Sequence, residues 1–109
     1  MTLSELYTAL NDIPGFKDKV VYHHWPTPES IPALPFIVYM EEGSDNFGAD
    51  NIVYKAINNV RIELYTENKD TTSESAIENM LTSNTIYWEK DETYIDDERC
   101  YEIIYSIEV

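Results

Sequence analysis

Four prolines within ten residues, at positions 26, 28, 32 and 35 of "VVYHHWPTPESIPALP", divide this chain more firmly than any other feature. A proline has no amide donor, so neither a helix interior nor an inner strand can run through such a segment. The stretch therefore reads as an extended surface crossing, entered from a short strand at Val20 to Tyr22. The segment before it has room for one helix. The residues after it must supply the body of the fold.

The helix is "TLSELYTALNDIPG", where Thr2 and Glu5 have the spacing of a capping box and Leu3, Leu6, Tyr7 and Leu10 fall on one stripe. Pro14 and Gly15 mark its stop. After Pro35 the period changes to that of strands. Phe36, Val38 and Met40 face one way and Ile37 and Tyr39 the other, so both faces of this strand are at least partly apolar. In "NIVYKAINNVRIELYT", Val60, Ile62 and Leu64 alternate with Arg61, Glu63 and Tyr65, as on a strand with one solvated face. Asn58 and Asn59 interrupt that register, which reads as a bulge or bend in one long strand, with a tight turn between two short strands as the alternative. Between the two runs lies "EEGSDNFGAD", a polar connection longer than most hairpins need.

"KDTTSESAIENMLTSN" is the second helix, with Thr71 and Glu74 as a capping box, Ala76, Ile77, Met80 and Leu81 as the buried stripe and Asn84 as the stop. "TIYWEKDETYI" and "RCYEIIYSIEV" flank the acidic turn "DDE", and Tyr101, Ile103, Tyr105, Ile107 and Val109 share a face. The expected fold is a single α+β domain over residues 1–109: an antiparallel β-sheet of about four long strands, two α-helices packed on one face, and a long β-hairpin with a protruding loop. Two helices cannot cover both sheet faces. Tyr39, Tyr54, Tyr65, Tyr87 and Trp88 are the candidates for the uncovered one, where aromatics commonly meet another chain.

Composition narrows the chemistry. Hydrophobic residues at 43% and aromatics at 13% belong to a folded chain, while 7 Lys and Arg against 21 Asp and Glu give a net charge of −14 that repels a phosphate backbone. Recognition of a nucleic-acid sequence is therefore not expected. The single Cys100 rules out an intrachain disulfide and a cysteine-rich zinc site, and it reads as a small buried hydrophobe because no general base accompanies it. The start "MTLSELYTAL" has an acid in place of a basic leader region, and no window approaches the ~18 apolar residues of a membrane span. A soluble chain made in the cytoplasm is expected, without a membrane partner.

His23 and His24 are adjacent, so on a strand they point to opposite faces and cannot chelate one ion. Asp45, Asn46, Asp50 and Asn51 offer the oxygens of a calcium loop, but not in EF-hand spacing, and their ordinary role is to hold turns. Gly15, Gly43 and Gly48 do not cluster as phosphate loops require. No catalytic residue, cofactor, metal or small-molecule substrate is expected. The acidic "YWEKDETYIDDER" reads as a solvated hairpin whose charges discourage stray edge pairing, with a recognition patch as the alternative. Trp25 is either a core lid or an interface anchor.

Taken together, the run "PFIVYMEEGSDNFGADNIVYKAINNVRIELYTENKD", the helix with Glu74 and Glu78, and the ending "YIDDERCYEIIYSIEV" resemble the tail terminator, or tail completion, proteins encoded in the tail modules of long-tailed phages and prophages of Gram-positive bacteria. The resemblance covers nearly the whole chain and rests on an ordered pattern of elements and turn residues. It implies a small α+β subunit that self-associates into a hexameric ring, caps the tail-tube protein and offers a surface to the head–tail connector. It implies a place in the virion tail, assembled in the host cytoplasm, and no enzymatic activity or cofactor. A neck protein that joins tail to head is the alternative within the same fold. The positions it marks as subunit contacts are those of the loop, Ser44, Asp45, Asn46, Phe47, Asp50 and Asn51, with the flanking Tyr39 and Tyr54. A cyclic assembly needs two unlike surfaces per subunit, which a protruding loop and an aromatic sheet face could supply. The rival from another class is an acidic DNA mimic that blocks a host defence nuclease, which would need carboxylates spaced like phosphates along one surface.

Overall fold

Thr2 opens the first helix as a reciprocal cap: its hydroxyl accepts the Glu5 N–H at 3.1 Å, and Glu5 Oε1 accepts the Thr2 N–H at 2.9 Å. The computed structural model that shows this describes residues 1–44, 46–49 and 51–109. In chain order the elements are α1 (Leu3–Asn11), β1 (Val20–Tyr22), a 3₁₀ turn at Pro28–Ser30, β2 (Phe36–Ser44), β3 (Phe47–Ala49), β4 (Ile52–Lys55), β5 (Asn58–Thr66), α2 (Thr71–Ser83), β6 (Trp88–Ile95) and β7 (Cys100–Glu108). The main sheet has five strands in the order β1-β2-β5-β7-β6, and β3 and β4 form a separate two-stranded ribbon.

The fold is thus α+β, with a sheet that is mixed and not wholly antiparallel. β1 runs parallel to β2, with Val20 opposite Ile37 and Tyr22 opposite Tyr39. The reason lies in the proline crossing: it carries the chain back past the sheet before β2 starts, so the next strand runs in the same direction as β1. The other pairings are antiparallel.

Register places one apolar row on the helix side. Ile37 faces Leu64 and Tyr39 faces Ile62, and these stand opposite Ile103 and Tyr105 of β7. All six are buried, together with Leu6 and Leu10 of α1 and Ile77 and Leu81 of α2, so both helices pack on this one face. Tyr39 and Trp88, expected on the uncovered face, belong here instead. Tyr39 is 6% exposed beside Tyr7 and Tyr22, and the Trp88 indole N–H donates to Thr82 of α2 at 3.1 Å. The period of two divides residues between faces correctly, but it does not say which face the helices will take.

The N-cap of α2 is Asp70, whose carboxylate accepts the Ser73 N–H at 3.0 Å, not Thr71 as the capping-box pattern suggests. That shift releases Glu74 from the cap. It lies buried at 3% exposure, 2.7 Å from Lys69 Nζ and 3.2 Å from Lys90 Nζ. Lys90 also reaches Glu78 at 2.8 Å, so β6 is fastened to α2 by charge as well as by Trp88. A buried carboxylate is tolerated because two ammonium groups flank it.

The register irregularity is not at Asn58 and Asn59 themselves. It lies on the partner strand, where β2 bulges between Glu41 and Gly43, and Gly43 takes φ +126°, a backbone conformation open to glycine. β5 begins at Asn58, after a break from β4.

Candidate assembly surface

Beyond the bulge the two long strands do not end in a loop. Ser44 pairs with Asn58, and from there the chain continues as the β3–β4 ribbon, an arm with its own antiparallel pairing. Asn46 ties its base: the side-chain oxygen accepts the Ile57 N–H at 3.2 Å. Asn51 turns the tip with φ +63°, which asparagine tolerates better than most residues. Gly48 lets the ribbon close, since a Cβ there would sit 3.1 Å from the Ile52 carbonyl oxygen. The expected protruding loop is therefore a strand pair. The arm carries Ile52 and Val53 at 59% and 56% exposure.

The sheet face away from the helices holds a polar network. Tyr65 Oη lies 2.9 Å from Glu63 Oε2 and 2.8 Å from Glu102 Oε2. Arg61 reaches Glu63 at 3.3 Å, Glu102 at 3.8 Å and Glu42 at 3.4 Å. A phenol has one proton and cannot donate fully to both carboxylates. Burial, then sharing with Glu102, pushes the Glu63 carboxyl above its ordinary range. Burial opposes charge on Glu102 too, but hydrogen bonds from Glu63 and Tyr65 and the Arg61 charge hold it below that range. Of the two carboxyls, Glu63 is therefore the one that takes up a proton first as pH falls. Alternation along β5 predicts a solvated face here, yet Glu63 is 5% exposed because Tyr65 and Arg61 close over it.

This arrangement sets a pH dependence. A carboxyl raised in the folded state contributes stability that is fully present below the unfolded value and is lost as pH rises through the folded one. Glu102, lowered, contributes in the opposite direction and loses its share as pH falls. Glu63→Gln keeps the neutral form at every pH. Urea unfolding should show the variant gaining on the wild type as pH rises above the ordinary carboxylate range; a difference that does not change with pH would mean that the Glu63 carboxyl is not raised on folding.

At the other end of the same face the proline crossing arches over the sheet and leaves a groove of about 780 Å³. Trp25 stands edge-to-face on Phe36 at 5.9 Å, and Phe36 lies 5.1 Å from Tyr65. Beneath the arch Val38 and Cys100 are buried, and burial pushes the Cys100 thiol up, in keeping with a small hydrophobe. Ile31 stands on the groove at 49% exposure. The two histidines at its entrance do not point apart. β1 ends at Tyr22, His23 takes φ +68°, and the Nδ1 atoms of His23 and His24 meet at 3.0 Å. Among the described residues no three His, Cys, Asp or Glu side chains converge as a metal site.

The expected contact residues separate into two groups. Ser44 at the end of β2, Asn46 at the base of the arm and Asn51 at its tip are all exposed. Tyr39 does not join them, since it faces α1. Asp45 and Asp50 lie outside the described residues, as do the side chains of Phe47 and Tyr54. Sequence reasoning passed over Ile52 and Val53, because an Ile-Val pair in a strand ordinarily signals burial, and over the groove, because prolines signal only a crossing. Tyr87, just before β6, is 77% exposed, and its hydroxyl donates to Glu89 at 3.0 Å. Comparison of the sequence with protein-family models finds no match, and comparison with curated proteins finds none either.

Proposed function

We propose that this protein is a structural subunit of a phage tail, a terminator that assembles as a ring on the end of the tail tube and offers the joining surface to the head. The observation that carries the reading is the arm: a two-stranded ribbon that extends β2 and β5 past the sheet and exposes Ile52 and Val53 to solvent. Exposed β-branched pairs at the end of a projecting ribbon find their natural role against another chain. The resemblance of the sequence to tail terminators agrees with it, as does the net charge of −14, which would keep passing DNA from sticking where the acids line the channel.

The DNA-mimic reading is less well supported. Glu63 and Glu74 are buried, and Glu42, Glu78, Glu92 and Glu102 are engaged by Arg61, Lys69 or Lys90, which removes six carboxylates from any phosphate-like row. The test is to mix the purified protein with the tail-tube subunit and image the products by electron microscopy. Rings, and tubes capped at a defined length, are the expected result. If the protein neither forms rings nor caps tubes, the terminator reading falls; binding to the connector alone would favour the neck slot.

A further inference from the structure

The arm and the groove are an unlike pair of apolar features on one chain, and among the described residues neither is covered by another part of it. Ile52 and Val53 remain more than half exposed, and Ile31 at the groove remains 49% exposed. They cannot reach each other. The groove opens at Phe36, where β2 begins, and the arm starts past Ser44, where it ends, a separation of about 26 Å at roughly 3.3 Å per residue. The molecule is correspondingly long, 49 Å against 30 and 24 Å.

We infer that the groove under the proline arch is the receptor for the arm of a second copy of this chain, with Ile52 and Val53, which point to opposite faces of the ribbon, inserted between Trp25, Ile31 and Phe36 so that each meets a different wall. The size is suitable, since about 780 Å³ admits two β-branched side chains and the backbone that carries them. Charge favours this pairing over others. Copies bearing −14 repel wherever acidic surfaces meet, whereas the groove lining has one acid, Glu98, and the Ile52–Val53 pair has none. A knob and a socket at opposite ends of one subunit make a head-to-tail contact, which propagates until a rotation closes it into a ring. The inference rests on the ring reading and names the surfaces that build it.

A mixing experiment tests it. Ile52→Glu with Val53→Glu spoils the arm and leaves the groove, and Ile31→Glu spoils the groove and leaves the arm. All three positions are exposed, so both variants should keep the wild-type circular dichroism and melting curve. By native mass spectrometry the wild type is expected as rings, each variant alone as a single chain, and the equimolar mixture as a one-to-one heterodimer that grows no further. In a Val53→Cys, Ile31→Cys double variant, oxidation should link neighbouring chains. Rings from either variant, or a mixture that stays monomeric, would overturn the arm-in-groove contact while leaving the ring reading standing. A wild type that forms no rings, alone or on tubes, would overturn both.

Discussion

Replacing Tyr105 by alanine should lower the unfolding free energy by about 3–5 kcal/mol, the range for removing a large aromatic from a packed core. Tyr105 is fully buried on β7, opposite Ile62 on one side and Lys90 on the other, with its ring edge-on to Trp88 at 5.8 Å. Its hydroxyl donates to Glu78 Oε2 at 2.7 Å, and burial raises the phenol well above its usual range. Alanine would open a cavity between sheet and α2 and leave Glu78 with Lys90 alone. Tyr105→Phe separates these effects: it keeps the ring and loses the charge-assisted hydrogen bond, for an expected cost of about 1–2 kcal/mol. Denaturant unfolding of the two variants measures both. Equal losses would show that the hydroxyl, not the ring, holds α2 to the sheet.

Excising residues 45–57 and joining Ser44 to Asn58 through Asn-Gly should leave a folded chain that no longer assembles. Ser44 and Asn58 are paired across the two strands, which is the geometry that a two-residue turn closes, and Asn-Gly supplies the positive φ values such a turn requires. Among the described residues none of the arm belongs to the apolar core formed by β2, β5, β7 and the helices, so the stability change should stay within about 1 kcal/mol. Loss of rings and of tube capping by a chain with an unchanged melting curve is the expected outcome. An unfolded product would show instead that the ribbon serves the fold, and capped tubes would show that assembly uses other surfaces.

Much of this architecture was legible in the order of the residues. Both helices, their buried leucines and isoleucines, the Thr2 cap, the Asn84 stop and the alternation of β5 and β7 follow from local spacing, because caps and period depend on neighbours along the chain. The errors have one origin. Thr71 reads as the cap because Glu74 has capping-box spacing from it, but Asp70 caps the helix and Glu74 pairs with Lys69 and Lys90. Tyr39 reads as a surface aromatic until the helices are seen to lie on its side of the sheet.

Composition and periodicity alone were enough to establish an acidic α+β chain, interrupted by a proline crossing, with a long polar insertion between two strands. Local propensity and charge are properties of each segment, and they survive folding unchanged. The parallel placement of β1, the pairing of Glu63 with Glu102 through Tyr65, and the groove beneath Trp25 and Ile31 arise between residues distant in sequence. Register and the path of the crossing set them, and neither is encoded in any one segment. The polar insertion shows the difference most plainly: its Gly, Asp and Asn residues announce turns, but pairing between β3 and β4 makes it an arm, with Ile52 and Val53 presented at its end.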